Sequence, residues 1–290
     1  MAEGDANVAE GNTARVYALA NQKGGVGKTT TAVSLAAFLG GAGVRVLLVD
    51  MDPQASASSS LNIDKDSVPA SVYDVLTGRR TLRSVVLRNA RLRIDVAPAA
   101  PALANAEVEL VSEIGREHRL RTALEEVLAL YDYILIDCPP SLGLLTVNAL
   151  TAARDGAIVP IQCEYLALQG LGHLLRAINL VRAHLNPETK VRGLLMTMFD
   201  PRTNLSQEVV DEVRAHFPDL VFETVIPRNV RLSEAPSHGE PILTYAPNSA
   251  GAVAYAAFAE ELRRGDERVL SAGRVPPAHS APAPAGSAES

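Results

Sequence analysis

The sequence predicts an α/β fold: a mostly parallel, twisted β-sheet with helices on both faces, in a single domain. Three observations predict it. Short β-rich runs alternate with longer helical ones along the chain. The β-rich runs are nearly all apolar rather than alternating, as expected for strands covered on both faces. The 290 residues suit one large domain, and 47% hydrophobic content with only 4% aromatic residues and no Trp implies an Ala/Val/Leu/Ile core.

The β-rich runs are 15–20, 45–50, 93–97, 132–137, 156–161, 191–198 and 221–226. Segments 107–130 and 168–184 carry apolar residues at three- and four-residue spacing and predict helices. Residues 1–13 are small and polar and predict a disordered tail. Residues 271–290 hold Pro276, Pro277, Pro282 and Pro284 among Ala and Ser, and predict a second tail. The folded domain is expected to span 14–270. In such sheets ligands bind beyond the carboxyl ends of the strands, where the loops at 21–28, 50–54 and 137–141 fall.

The most informative stretch is Leu19-Ala20-Asn21-Gln22-Lys23-Gly24-Gly25-Val26-Gly27-Lys28-Thr29-Thr30. A predicted strand leads in and a helix-compatible run, 31–39, leads out. Strand, Gly-rich loop and helix N-terminus stand in the order of a P-loop, where backbone N–H groups converge on phosphate oxygens. This makes the expected fold that of a P-loop NTPase. Gly24 to Thr30 are expected to bind the nucleotide. Lys28 is expected to reach the outer phosphates, and the Thr29 hydroxyl to ligate Mg2+. The plain pattern G-x-x-x-x-G-K-[ST] places a glycine at position 22; this chain has Gln22, followed by a second lysine, Lys23.

Two apolar strands deliver carboxylates. Val46 to Val49 runs into Asp50-Met51-Asp52-Pro53-Gln54, and Tyr133 to Ile136 into Asp137-Cys138-Pro139-Pro140. An Asp at the carboxyl end of a buried strand beside a phosphate loop can hold Mg2+ directly or through water. Asp52 is expected to orient the attacking water and to lie at the metal. Asp137 is expected to be the Walker B carboxylate, and Asp50 to support the loop from the other side.

Lys23-Gly24-Gly25-Val26-Gly27-Lys28-Thr29-Thr30, Asp50-x-Asp52-Pro53-Gln54 and Asp137-Cys138-Pro139-Pro140-Ser141 resemble the deviant Walker A ATPases. The resemblance is closest to their chromosome-partitioning ParA/Soj branch. Segments 160–165, 197–204 and 225–239 resemble that branch too, so the similarity runs from about 15 to 262. It implies ATP and Mg2+ as cofactors and slow ATP hydrolysis. It also implies an ATP-dependent homodimer that binds double-stranded DNA without sequence preference, and release stimulated by a ParB-type centromere-binding protein. Residue by residue, Lys23 matches the signature lysine that reaches the partner subunit's phosphates, and Asp52 the catalytic aspartate. Pro227 and Asn229 match adenine-pocket positions, and Arg202 and Arg231 match DNA-binding positions.

Composition bounds the remainder. A net charge of -6 leaves any DNA-binding surface to a local patch. Arg79, Arg80, Arg83, Arg88, Arg91 and Arg93 form such a basic stretch, read first as a solvated face. Two cysteines without metal spacing, Cys138 and Cys163, imply buried residues in a reducing compartment rather than a disulfide or an iron–sulfur cluster. No stretch approaches the ~20 apolar residues of a membrane span, and Glu3 and Asp5 without an apolar core do not make a signal peptide. A cytoplasmic, nucleoid-associated protein with no membrane partner is expected. The competing class is a membrane-cycling positioning ATPase like MinD. That class requires a basic amphipathic helix at the C-terminus, where this chain has a Pro/Ala/Ser tail.

Overall fold

The computed structural model describes residues 13–89, 92–165 and 167–273. Apart from Thr13 and 271–273, the expected tails lie outside the described residues, as does Arg91. Eight strands form one sheet: β1 (Arg15–Leu19), β2 (Val46–Asp50), β3 (Leu87–Asn89), β4 (Ile94–Ala97), β5 (Tyr133–Asp137), β6 (Gly156–Gln162), β7 (Val191–Phe199) and β8 (Val221–Pro227). Their order is β3-β4-β2-β5-β1-β6-β7-β8. Every pairing is parallel except β3 with β4. The expected parallel architecture is present, with an antiparallel edge strand added. That strand, Leu-Arg-Asn, is too short and too polar to register as an apolar run.

The first half of the chain supplies α1 (Lys28–Gly41), the short α2 (Ser56–Ser59), α3 (Val72–Leu76), α4 (Leu82–Val85) and α5 (Ala106–Glu109), then α6 (Arg119–Glu125). The second half supplies α7 (Leu144–Ala152), α8 (Ala167–His184), α9 (Asn204–His216), the short α10 (Val230–Glu234) and α11 (Ile242–Tyr245), and α12 (Ala250–Gly273). Because side chains alternate across a strand, β1 feeds two cores at once. Val16 and Ala18 face a layer closed by α3, α6, α7, α8 and α9. Tyr17 and Leu19 face a layer closed by α1 and α12.

One helical expectation needs correction. Segment 107–130 is not one helix: α5 stops at Glu109 and α6 starts only at Arg119, with Gly115 at φ +70 between them. A left-handed residue cannot continue a right-handed helix. The apolar spacing that suggested a buried face leaves Val108, Val111 and Ile114 exposed instead. At the other end, α12 runs unbroken from Ala250 to Gly273.

One polar cluster ties α12 to the sheet. Asp266, 4% exposed, accepts hydrogen bonds from Tyr17 Oη at 2.6 Å and Tyr133 Oη at 2.8 Å, and pairs with Arg192 at 3.1 Å. Burial, reinforced by the Asp266 charge, pushes both phenols far above their ordinary range, so they stay neutral donors. Asp266→Ala removes the acceptor shared by β1, β5 and β7 and leaves Arg192 without its counter-charge. We expect a loss of about 3 kcal/mol, read as a lower urea midpoint at constant m-value. A change within about 0.5 kcal/mol would show that the cluster does not anchor the helix.

Candidate nucleotide site

β1 lies inside the sheet between β5 and β6, and its carboxyl end opens into loop 21–27 before α1 begins at Lys28. In that loop Gly25 has φ +75 and Gly27 φ +88, with Val26 between them. Glycine takes this left-handed conformation without steric cost, and such alternation turns consecutive N–H groups toward one concavity. Two polar side chains pin the loop. The Asn21 amide donates to the Pro160 carbonyl at 2.7 Å while its oxygen accepts from the Lys23 N–H at 3.0 Å. Thr197 on β7 donates to the Val26 carbonyl at 2.9 Å. The cradle is therefore held from β6 and β7, not only by its own strand and helix.

Strand register brings the two acidic loops to the same edge. Asp137 pairs in register with Leu19 of β1 on one side and with Asp50 of β2 on the other. The Thr29 hydroxyl donates to Asp137 Oδ2 at 2.7 Å, while Asp137 Oδ1 is buried without a partner. Burial, with the neighbouring Asp50 charge, raises the Asp137 pKa well above the ordinary carboxylate range. A hydroxyl, a buried carboxylate oxygen lacking a hydrogen bond, and an electrostatic deficit of positive charge fit a hard divalent cation. Thr29 and Asp137 would hold Mg2+ here, with Asp52 close enough to add its charge at both Asp137 and Lys28. When bound, Mg2+ supplies positive charge to the phosphate oxygens.

Lys28 is only 6% exposed, and its Nζ donates to the Lys23 carbonyl at 3.3 Å. Desolvation lowers its pKa, opposed by the Asp137, Cys138 and Asp52 charges. Asp50, fully buried, accepts from the Ser58 hydroxyl at 2.7 Å, the Ser58 N–H at 2.9 Å and the Asp52 N–H at 3.1 Å. Burial nonetheless pushes its carboxyl up to about 6. Asp50 therefore braces the loop that presents Asp52. The Asp52 carboxylate, 8% exposed, accepts from the Gln54 N–H at 2.9 Å.

The remaining candidates occupy the rim. The Lys23 side chain is 46% exposed and its Nζ lies 3.7 Å from Glu164 just beyond β6. The Arg228 guanidinium reaches the same carboxylate at 3.4 Å, which draws the 227–229 loop to the head of the P-loop. Pro227 pairs with Phe199 at the ends of β8 and β7, and Asn229 caps α10 by accepting from the Arg231 N–H at 2.9 Å. Arg202 and Arg231 stand on the loop after β7 and on α10, both exposed and both ion-paired. Arg202 forks onto Asp200, whose carboxyl it holds far below its usual range, and Arg231 meets Glu234 at 2.8 Å. Cys138 and Cys163 are buried, and burial pushes the Cys163 thiol up to about 12. Neither has the exposure of a cluster ligand.

Asn21, Thr197 and Glu164 carry site geometry that the sequence reading assigned to no role. Thr197 had a visible signal, as a hydroxyl interrupting the apolar run from Leu194 to Phe199. Glu164 had none, because its contacts come from residues distant in sequence.

A family model described as an AAA domain matches residues 14–191. The Soj sporulation initiation inhibitor protein of Bacillus subtilis is 54% identical over 248 residues, covering 86% of this chain and 98% of its own. The chromosome partitioning protein ParA of Myxococcus xanthus is 52% identical over 252 residues, covering 87% and 89%. Among solved structures, a Mycobacterium smegmatis protein named cobyrinic acid a,c-diamide synthase, with an ATP analogue and magnesium, superposes with a TM-score of 0.77. It is 41% identical and covers 90% of this chain and 97% of its own. The cell-division ATPase MinD of Pyrococcus furiosus has the same fold, with a TM-score of 0.71 at 24% identity over 86% of this chain and 98% of its own. The glycine loop and the Thr29–Asp137 pair have the chemistry that a nucleotide and Mg2+ require. Cradle, carboxylates and likeness agree: the chain belongs to the ParA/Soj branch of the deviant Walker A P-loop ATPases.

Proposed function

We propose that this partitioning ATPase dimerises on ATP and binds DNA without sequence preference. It is released after hydrolysis stimulated by a ParB-type centromere-binding protein, and so moves chromosome or plasmid DNA. The observation that carries the reading is the contrast between two lysines in one loop. Lys28 is buried among the carboxylates of its own site, whereas Lys23 is half exposed and held only by a carboxylate 3.7 Å away. An ammonium in that position is available to the phosphates of a second copy, where it neutralises charge that develops as the terminal phosphoryl group leaves.

Within one subunit the residues divide the work. The N–H groups of 24–30 and Lys28 hold the phosphates, Thr29 and Asp137 hold the metal, and Asp52 orients the attacking water. Pro227 and Asn229 line the adenine. A site that lacks Lys23 of the second copy is incomplete, so intrinsic turnover is slow until dimer and partner order it. Arg202 and Arg231 bind DNA phosphates by exchanging Asp200 and Glu234 for a denser anion. Dimerisation doubles each contact, and an acidic chain then binds in a salt-sensitive manner. The protein is then nucleoid-associated in the cytoplasm.

The MinD-like alternative is disfavoured by α12, whose apolar stripe of Ala252, Tyr255, Phe258, Ala259 and Leu262 is buried in the core rather than left for a membrane. No helix among the described residues is long and apolar enough to cross a membrane. The synthase name belongs to a chain 41% identical, whereas the partitioning names belong to chains 54% and 52% identical.

The experiment is binding to long DNA of arbitrary sequence with ATP, ADP or neither, at low and moderate salt. ATP-dependent, salt-sensitive binding is expected, and no binding in any condition overturns the reading. In the same assay Arg231→Glu is expected to weaken DNA binding more than about tenfold and to lower the salt slope, with ATP-dependent dimerisation intact. Loss of dimerisation instead would make Arg231 structural.

A further inference from the structure

At the opposite pole of the sheet from the P-loop, the amino ends of β2, β4 and β5 enclose a second cleft of about 500 Å³. Four arginines line it: Arg45 before β2, Arg83 on α4, Arg88 on β3 and Arg93 before β4. Arg45 is committed to Asp132, with guanidinium contacts at 2.7 and 3.1 Å. The Asp95 carboxylate is taken by the Tyr131 hydroxyl at 2.8 Å, and the Glu126 carboxylate by the Arg83 N–H at 2.9 Å. Among the described residues, the guanidinium groups of Arg83, Arg88 and Arg93 make no hydrogen bond or ion pair. Elsewhere among the described residues Arg79, Arg202, Arg228 and Arg231 find carboxylates, whereas exposed Arg80, Arg182 and Arg264 do not; what sets the cleft arginines apart is that they converge on one cavity.

The cleft is also shaped for more than a point charge. Buried Val46 and Val127 floor it, and half-exposed Val86 and Leu130 extend the apolar wall. Its volume falls in the range of small-ligand sites, and an apolar floor with convergent cations is the usual composition of one. Arg93 holds φ +54, an uncommon conformation for an arginine, at the cleft's edge. The turn it occupies is clamped by α1: a Cβ on Gly40 would stand 2.7 Å from the Leu92 carbonyl and 3.1 Å from that of Arg93. Only glycine lets the helix seat so closely. Because α1 begins in the P-loop and its 14 residues span about 20 Å, the two clefts sit at opposite ends of one rigid element.

We propose that this cleft binds a small organic phosphate of nucleotide size, at a site separate from the P-loop. The guanidinium fork matches phosphate oxygens in pairs, and three such forks, none ion-paired and outnumbering the one lining carboxylate, Asp95, leave charge for a di- or triphosphate. The apolar floor takes the organic part.

The test is equilibrium dialysis of labelled GDP against the full chain, with Mg·ADP held at the concentration that fills the P-loop. The Arg83→Glu/Arg88→Glu double variant and a parallel titration with inorganic pyrophosphate complete it. We expect one equivalent of GDP bound while Mg·ADP fills the P-loop, held at least about tenfold more weakly by the double variant. ADP affinity is expected to stay unchanged, which also establishes that the variant is folded. Pyrophosphate is expected to bind more weakly than GDP. Absence of GDP binding while Mg·ADP fills the P-loop overturns the proposal, as does equal GDP binding by both proteins. Pyrophosphate binding as tightly as GDP overturns the organic-phosphate assignment. If a short DNA duplex binds in a manner that the double variant loses while GDP does not bind, the cleft is a nucleic-acid contact.

Discussion

Lys23→Ala is expected to lower partner-stimulated ATP turnover about 10³-fold while Mg·ATP affinity moves by less than about threefold. The asymmetry follows from where the two P-loop lysines sit. Lys28 is buried beside Asp137 and Asp52, so removing it strips the subunit's own phosphate site and leaves those acids without their nearest cation. Lys23 contributes only its backbone to that cradle: its N–H donates to Asn21 and its carbonyl accepts from Lys28. Alanine preserves both backbone contacts. What it removes is the ammonium near Glu164, which the proposed dimer uses across its interface. A group that acts only as charge develops lowers the rate and not the ground-state affinity. Single-turnover hydrolysis together with ATP titration separates the two. Normal turnover in the variant would refute the role in trans. Equal losses of affinity and rate would place Lys23 in its own subunit's site.

How far the sequence reaches is visible in the same residues. The P-loop and both Asp-terminated strands are local patterns, in which an apolar run, a glycine cluster and a carboxylate follow one another within a dozen residues. They were legible for that reason, and the sheet then places Asp50 and Asp137 in register. Contacts that join distant segments were not legible. Thr197 reaches Val26 across 171 positions, and nothing in either segment announces the other. The Asp266 cluster gathers Tyr17, Tyr133 and Arg192 from three strands in the same way. Periodicity failed between 107 and 130 because one left-handed glycine outweighs an apolar repeat. The arginine stretch at 79–93 read as a solvated face; only the chain's return at β4 and β5 makes part of it the wall of a cleft.

Asp52→Ala is expected to reduce hydrolysis about 10²- to 10⁴-fold and to leave an ATP-bound dimer that stays on DNA after free ATP is removed. Asp50, two positions earlier, is the control that gives the result meaning. Its carboxylate is consumed by three donors from Ser58 and Asp52, and its replacement by alanine orphans those donors. Asp50→Ala should therefore cost about 1–3 kcal/mol of stability as well as activity. Asp52 accepts only one local hydrogen bond, from the Gln54 N–H at the turn, a bond that fixes the carboxylate's direction without carrying the fold. Its replacement should leave the thermal midpoint within about 2 °C and ATP binding nearly unchanged. Stability retained with turnover lost assigns Asp52 to the reacting water, since an interaction made only in the transition state leaves both the fold and the bound ground state intact. A DNA off-rate that still rises when ATP is depleted would mean that another group orients the water, and that Asp52 serves the loop as Asp50 does.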